Sequence, residues 1–245
     1  MALYMFSDAH LGAEEPGREE IKRQRINELF DMVRRDGDRL VILGDLFDFW
    51  FEYHHAIPKD HHHVICSLTN LVERGITVDY VSGNHDFWMG DFFVDHVGLN
   101  LHQDHLDTEY EGRRLHLIHG DGLAAADRGY RLLKRILRNP LNIWLYRKLP
   151  PDWAIPLAKK VSGSSREYTA RRDPDFVADY EDYARDRLRN GFDTVAIGHL
   201  HLPVIRQFDD GTYLNTGDFI EHFTYARMAG GRIELKSLVP GNSRT

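Results

Sequence analysis

Apolar residues along the chain fall into short runs that predict strands and into longer periodic stretches that predict helices. Strands are predicted at Leu3–Ser7, Arg39–Leu43 and Thr77–Ser82, because each is a short, mainly apolar run of the length expected for a buried strand. Between them, apolar residues recur at helical spacing in Glu19–Arg35 and in His61–Arg74. The first part of the chain therefore predicts strands that alternate with amphipathic helices, which is typical of a parallel α/β sheet.

Hairpins dominate the later part of the chain. Turn residues separate apolar runs at Glu111-Gly112 and at Asp209-Asp210-Gly211, and a last strand pair flanks Gly230-Gly231. A helix is predicted at Asp175–Arg189 and a strand at Thr194–Ile197. Together the elements predict an α/β fold in layers, a β-sandwich of two sheets packed face to face and flanked by helices.

Length and composition are ordinary for one globular enzyme domain. The 245 residues are 42% hydrophobic and 28% charged, which is enough for one large core. No stretch approaches the roughly 20 apolar residues of a membrane span. The single cysteine, Cys66, cannot form an internal disulfide, and we expect it to be buried in a helix. We therefore expect residues 1–245 to form one domain in a reducing cytoplasm.

Five polar clusters follow predicted strands, and together they predict a metal site. They are Asp8-Ala9-His10, Gly44-Asp45-Leu46-Phe47-Asp48, Gly83-Asn84-His85-Asp86, His119-Gly120-Asp121 and Gly198-His199-Leu200-His201. Each alone is a weak signal, because a Gly-Asp pair usually marks a turn and a lone histidine is usually structural. Jointly, their carboxylate, amide and imidazole groups suit Mn²⁺, Fe²⁺, Co²⁺ or Zn²⁺, and two such ions can support attack on a phosphoryl group.

In this order, the five clusters resemble those of the calcineurin-like metallophosphoesterases. The resemblance covers almost the whole chain and implies two divalent metal ions, for which we expect Mn²⁺. The implied ligands are Asp8, His10 and His201 for one metal and Asn84, His119 and His199 for the other. Asp45 is implied to bridge the two metals. The resemblance also implies that His85 protonates the leaving oxygen and that Asp48 orients the imidazole of His85.

Three segments between the clusters resemble one group in this family, the UDP-2,3-diacylglucosamine pyrophosphohydrolases of lipid A synthesis. They are the aromatic run Leu46–Tyr53, the stretch His119–Leu123, and Asp127 to Tyr130 with Lys134-Arg135 after it. The resemblance implies cleavage of UDP-2,3-diacylglucosamine to UMP and 2,3-diacylglucosamine 1-phosphate. The implied substrate contacts are Asn84, His85, Asp127, Ser165 and His199. The best-characterised members carry arginine at the position of His85.

An insertion at about residues 123–172 mixes cations with apolar and aromatic side chains. Between Arg128 and Arg172, twelve Lys/Arg and two acidic residues give +10, whereas the whole chain carries −7. Apolar side chains beside cations suit an anionic lipid surface. We therefore expect a helical lid that binds acyl chains, in a protein peripheral to the inner face of the cell membrane. The alternative is an ordinary helical hairpin with a solvated basic face.

Other functions stay open at this point. One is a metallophosphoesterase for another nucleotide or a cyclic-nucleotide phosphodiester. A nuclease is a second possibility, but no nucleic acid partner is expected because the chain outside the insertion is acidic. A non-catalytic scaffold is a third, although every implied ligand position is filled. The histidines His54, His55 and His61–His63 are expected on the surface and not as ligands.

Overall fold

Two packed β-sheets form the centre of the protein. The computed structural model describes residues 1–125, 127–158 and 174–239. The strands of the first sheet are β1 (Ala2–Phe6), β2 (Gly37–Ile42), β3 (Thr77–Val81), β4 (Asn100–His102), β10 (Thr224–Ala229) and β11 (Arg232–Ser237). Those of the second sheet are β5 (His105–Tyr110), β6 (Arg113–Ile118), β7 (Thr194–Ile197), β8 (Val204–Phe208) and β9 (Gly211–Asn215).

Helices cover the outer faces of both sheets and form the insertion. The first sheet is covered by α1 (Pro16–Asp36) and α2 (His62–Glu73), and the second by α6 (Pro174–Arg189). The insertion between β6 and β7 contains α3 (Arg128–Leu137), α4 (Pro140–Tyr146) and α5, described over residues 151–158. Short turns of 3₁₀ and π helix lie at Lys59–His61 and Phe93–Val97. The predicted layered α/β sandwich is confirmed.

Parallel pairing brings the polar loops to one edge of the sandwich. The strand order is β11-β10-β1-β2-β3-β4 in the first sheet and β5-β6-β7-β9-β8 in the second. Strands β1, β2 and β3 are parallel, with Phe6 opposite Ile42, and β6 is parallel to β7, with Ile118 opposite Ile197. Since parallel strands end at the same edge, the loops after them collect ligands there.

The interior is divided into three apolar layers. Between the sheets lie Leu3, Met5, Val41, Leu117 and Leu214, all without solvent exposure. A larger cluster fills the space between the first sheet and helices α1 and α2. A third joins the second sheet to α6. The sheets are therefore held against each other by side chains from both inner faces.

Two expectations about single residues on α2 and before it are wrong. Cys66 is exposed, because it lies opposite the face on which Val64, Ile65 and Leu68 are buried. His61 is buried, not solvated, and its ring lies 4.6 Å from that of Phe47. The neighbouring His62 and His63 are exposed as expected, and so are His54 and His55. In the described residues, no helix is long and apolar enough to cross a membrane.

The layered core predicts where truncations destabilise the fold. Leu117→Ala should lower the free energy of unfolding by about 2–5 kcal/mol, because the cavity lies between two sheets. Leu132→Ala on α3 should change it by less than about 0.5 kcal/mol, because Leu132 is 60% exposed. Urea denaturation followed by circular dichroism measures both. Equal losses would mean that Leu132 is covered by packing within the folded chain.

Candidate metal centre

Loops from both sheets converge on one buried group of ligand-type side chains. The loop after β1 carries Asp8 and His10, the loop after β2 carries Asp45, and the loop after β3 carries Asn84. The second sheet contributes His119 after β6, and His199 and His201 after β7. All seven residues of the predicted ligand set therefore lie at the predicted edge, next to the ends of parallel strands.

Asp8, His10 and His201 form the first group, whose ligand atoms lie within 4.8 Å of one another. Oδ1 of Asp8 is 3.3 Å from Nε2 of His201 and 3.8 Å from Nε2 of His10. Oδ2 of Asp8 accepts hydrogen bonds from the hydroxyl of Ser7 and the backbone N–H of His199. One carboxylate oxygen is thus held by the protein and the other faces the group.

The second group consists of Asn84, His119 and His199. Nε2 of His119 lies 3.0 Å from Oδ1 of Asn84 and 3.3 Å from Nδ1 of His199. Nδ1 of His119 donates to the carbonyl oxygen of Leu43 at 2.8 Å, which leaves Nε2 directed at the group. Amide oxygen and imidazole nitrogens converge here as a divalent cation requires.

Asp45 lies between the two groups. Its Oδ2 atom is 3.3 Å from Nε2 of His119 in the second group and 3.6 Å from Nε2 of His10 in the first. Its Oδ1 atom accepts a hydrogen bond from the backbone N–H of His85 at 2.9 Å. The hydrogen bond to Oδ1 therefore fixes the orientation of the carboxylate, so that Oδ2 faces both groups.

The backbone is strained where it carries these ligands. Seven non-glycine residues of the described chain have φ between +43° and +65°. Five of them are candidate ligands: Asp8, His10, Asp45, His199 and His201. A left-handed conformation costs a non-glycine residue on the order of 1–3 kcal/mol and is concentrated at functional sites. The fold sustains this strain at the metal centre.

Glycine is required where two of these loops touch. A Cβ atom on Gly83 would overlap Oδ1 of Asp45 and come within 2.6 Å of the Asp45 backbone nitrogen. A Cβ atom on Gly44, whose φ is +82°, would lie 2.6 Å from Nδ1 of His119. The Gly-Asp and Gly-Asn pairs of the sequence therefore reflect close approach of backbone to ligand side chains.

The electrostatics of the site favour a cation. Burial alone would lower the pKa of His10, but the nearby carboxylates of Asp48, Asp8 and Asp45 raise it to about 9. Burial would also lower the pKa of His119, yet Asp45 is a main cause of its rise to about 10. Oδ1 of Asp8 and both ring nitrogens of His10 are buried without a hydrogen-bond partner in the described chain. Unpartnered buried ligand atoms in a negative field fit a bound metal ion.

Histidine 85 borders both groups without joining the predicted ligand set. Its Nδ1 atom donates to the carbonyl oxygen of Asp48 at 2.9 Å and lies 3.6 Å from the Asp48 carboxylate. Its Nε2 atom is 4.0 Å from Oδ2 of Asp45. Asp48 thus contacts the imidazole through its backbone carbonyl and its carboxylate, and its role in orienting the ring for catalysis stays a prediction. The atoms of His10, Asp48 and His85 also lie close enough to hold an ion, so a ligand role for His85 needs a direct test.

A network that the sequence did not reveal joins the insertion to the second group. Oδ2 of Asp121 lies 2.8 Å from Nζ of Lys134 and 3.6 Å from Nη2 of Arg138. Arg138 also donates to the carbonyl oxygen of Gly83 at 3.3 Å and stacks on Phe87 at 3.7 Å. Burial would raise the pKa of Asp121, but His119, Lys134 and Arg138 hold it below the ordinary value. Only one indication of this network is present in the sequence: Lys134 and Arg138 are four residues apart and therefore lie on the same face of a helix.

Asp127, one of the two remaining predicted substrate residues, lies outside the metal groups. Asp127 is buried at the start of α3, and burial raises the pKa of its carboxyl group. It is near Arg131 and Asp121, with which it interacts electrostatically. Ser165 lies outside the described residues. The prediction that these two residues contact a substrate therefore stays a prediction.

The aromatic run after β2 packs partly in the core and partly against the insertion. Phe47 and Trp50 are buried against Phe93, with ring centroids 6.0 and 4.7 Å away. Phe51 instead faces the insertion, and its ring lies 4.6 Å from that of Tyr146 on α4. Trp88 donates its indole N–H to the carbonyl oxygen of Leu137 at 3.1 Å. The run therefore packs in the core and against α4, while Trp88, in the loop after β3, connects to α3.

A two-sheet sandwich with paired Asp/His groups at one edge defines a metal-dependent phosphoesterase. The sequence model of the calcineurin-like phosphoesterases matches residues 1–203. The chain belongs to the calcineurin-like phosphoesterase family, as its motifs predict, and it is a hydrolase. Membership implies divalent metal ions, and the described residues include groups of side chains that could hold them, among them Asp8, His10 and His201, and Asp45, His119 and His199.

Relatives of known name support the narrower resemblance. A UDP-2,3-diacylglucosamine hydrolase of Porphyromonas gingivalis is 28% identical over 96% of this chain and 97% of its own length. One of Pseudomonas entomophila is 33% identical over 84% of both chains. In structure, the chain is similar to an archaeal phosphodiesterase (TM-score 0.51, 11% identity, 97% of this chain and 100% of that one). Yfce, a phosphoesterase from E. coli, has a TM-score of 0.51 at 19% identity over 100% of this chain and 96% of its own. These two structures support the fold alone.

The shared position of Asp45 predicts the effect of its removal. Asp45→Ala should lower bound metal by more than one equivalent, because one oxygen faces both groups. Asp8→Ala is the matched control and should lower it by about one. Metal content is measured by mass spectrometry on dialysed protein that was first loaded with Mn²⁺. Two retained equivalents in Asp45→Ala would contradict a bridging role.

Proposed function

We propose that this protein hydrolyses the pyrophosphate bond of UDP-2,3-diacylglucosamine, giving UMP and 2,3-diacylglucosamine 1-phosphate in lipid A synthesis. The observation that carries the proposal is that both metal groups and a basic, apolar insertion occur at the same edge of the fold. Relatives that cover nearly the whole chain are named UDP-2,3-diacylglucosamine hydrolases. A metal centre supplies phosphoester hydrolysis, and the insertion supplies selection for an acylated substrate.

Each side chain of the centre has a proposed role. Asp8, His10 and His201 would hold one divalent ion, Asn84, His119 and His199 would hold the other, and Asp45 would be a ligand to both. Two such ions, for which Mn²⁺ is our expectation, would supply activation of water and neutralisation of charge on phosphoryl oxygens when bound. His85 donates a proton to the leaving oxygen, and the carbonyl oxygen of Asp48 fixes the orientation of the ring. Burial lowers the pKa of His85, which makes its protonated form a stronger acid.

Substrate binding is proposed to use the rim of the centre. Asn84, His85 and His199 are proposed to contact the reacting phosphate. Asp127 and Ser165 are proposed to contact the sugar or nucleotide from the insertion. Lys134 and Arg138, which lie beside Asp121 near the second group, are cations within reach of a diphosphate. These two cations are therefore proposed to act at the metal centre and not at the membrane surface.

The insertion is proposed to be a lid over about residues 123–172 within one domain, residues 1–245. Of thirteen large apolar side chains exposed in the described chain, ten lie at residues 132–157. Trp153 is 77% exposed, Leu141 61% and Trp144 54%. Exposed apolar surface of this extent marks a binding site for an apolar partner. Acyl chains are that partner in this proposal.

The same surface is proposed to rest on the inner face of the cell membrane from the cytoplasm. Arg135 and Lys148 are exposed beside these apolar side chains, and Lys148 lies 5.1 Å from the ring of Trp144. Cations near an anionic surface contribute about 1 kcal/mol each. Peripheral binding would bring the lid to the layer in which a diacylated substrate is dissolved.

A turnover assay tests the proposed function. Protein stripped with chelator and reloaded with Mn²⁺ is given UDP-2,3-diacylglucosamine, and products are identified by mass spectrometry. Equimolar UMP and diacylglucosamine 1-phosphate are expected. Cleavage of cyclic nucleotides or of soluble phosphodiesters, without action on the lipid, would favour the alternative activity. Two bound Mn²⁺ ions without turnover of any of these esters would favour a scaffold.

The proposed proton donor predicts a leaving-group effect. His85→Ala should slow cleavage of the nucleotide-linked lipid by about 10²–10⁴-fold, because its leaving oxygen needs a proton. Loss on an activated aryl phosphodiester should be much smaller, since aryl oxides leave unprotonated. Bound metal should stay near two equivalents. Equal loss on both esters, or loss of metal, would instead assign His85 to the ligand set beside His10.

Substitution of the exposed cations of the insertion should affect different activities from substitution of the cation that contacts Asp121. Reversal of Arg135 and Lys148 to Glu should weaken binding to anionic vesicles by more than about 30-fold at low salt, since loss of the two cations alone costs about 2 kcal/mol and the two new carboxylates are repelled by the surface. It should raise KM for the diacylated substrate and spare a soluble phosphodiester. Lys134→Glu is the contrasting variant, and it should impair both substrates through Asp121. Equal loss of both substrates in the Arg135/Lys148 variant would point to an ordinary helical hairpin.

A further inference from the structure

A buried lysine on α1 reaches the loop that carries two of the first-group ligands. Lys22 is 1% exposed, and its ammonium group donates to the carbonyl oxygens of Ala9 at 3.1 Å and His10 at 2.7 Å. None of the five polar clusters of the sequence includes Lys22. A charged side chain is rarely so fully buried unless it is paired or bound to polar groups.

Glu19 completes the attachment of this loop to the helix. Its Oε1 atom lies 2.7 Å from Nζ of Lys22. Its two carboxylate oxygens also accept hydrogen bonds from the backbone N–H groups of Gly12 at 3.0 Å and Glu14 at 2.9 Å. One ion pair therefore binds backbone groups on both sides of Leu11. The loop is tied to α1 at both its carbonyl and its amide groups.

His10 needs such support more than the corresponding ligand of the second group. Its φ is +43°, and neither ring nitrogen has a hydrogen-bond partner in the described chain. The ring of His119, in contrast, is held through Nδ1 by the carbonyl oxygen of Leu43. Apart from the Asp48 carboxylate, which lies 3.6 Å from Nδ1, the position of the His10 imidazole depends on the backbone of its loop. That backbone is held by a hydrogen bond from the His10 N–H to the carbonyl oxygen of Asp45 at 2.9 Å and by the two hydrogen bonds from Lys22.

We propose that Lys22, anchored by Glu19, is a positioning residue that holds His10 in the geometry of a ligand to the first metal. The inference rests on the dinuclear centre of the proposed function. An electrostatic role for Lys22 predicts the opposite effect, because removal of a positive charge near the site would tighten cation binding. A role in fold stability alone predicts no difference between the two metals.

Calorimetric titration of the chelator-stripped full chain with Mn²⁺ separates these roles. In wild type, two Mn²⁺ ions are expected to bind. Lys22→Met should weaken the first site by about 10–100-fold, as is usual for loss of an outer support, and leave the second within about twofold. In a His199→Ala background, where the first site remains, Lys22→Met should weaken the remaining ion. In a His201→Ala background it should have little effect.

Two further variants keep the test decisive. Leu29→Ala removes a buried side chain of α1 and should lower the unfolding temperature while both Mn²⁺ sites keep their affinity. If Lys22→Met fails to fold, Glu19→Gln retains the lysine, loosens its anchor and should weaken the first site by a smaller factor. Unchanged or tighter first-site binding in the Lys22 or Glu19 variant would overturn the inference. Failure of wild type to bind two ions would instead overturn the dinuclear centre itself.

Discussion

One buried carboxylate oxygen, Oδ2 of Asp45, faces ligand side chains that arrive from two different sheets. The loops after β1 and β2 can meet those after β6 and β7 only where both sheets end at the same edge of the sandwich. The apolar layer between the sheets therefore fixes the distance between the two groups. Left-handed backbone at five candidate ligands is a further requirement, and the close packing around them maintains it.

The sequence could predict the parts of the site that are local in the chain. Each Gly-Asp, Gly-Asn or His-x-His cluster follows a strand, so its position at a sheet edge was predictable from the pattern of apolar runs. The strand β4 was missed because Asn100–His102 is short and half polar. The burial of His61 was missed because it depends on packing against Phe47, which lies 14 positions earlier. Lys22, Lys134 and Arg138 act through contacts between distant segments, which no local pattern reports.

The residues proposed to carry out hydrolysis and those proposed to select the substrate lie in different parts of the fold. Loops at strand ends carry the metal groups, and the helical insertion between β6 and β7 adds apolar and cationic surface beside them. The two parts are not independent, since Lys134 and Arg138 join α3 to Asp121 and to the carbonyl oxygen of Gly83. These contacts reach the loops of His119 and Asn84, both in the second group.

Anomalous diffraction from crystals grown with Mn²⁺ is the most direct test of the central claim that two ions share Asp45. Data collected above the manganese absorption edge show each ion as a separate peak. The account predicts two peaks about 3.5–4 Å apart, one among Asp8, His10 and His201 and the other among Asn84, His119 and His199, with Oδ2 of Asp45 next to both. A single peak, or a peak held by His10, Asp48 and His85, would contradict it.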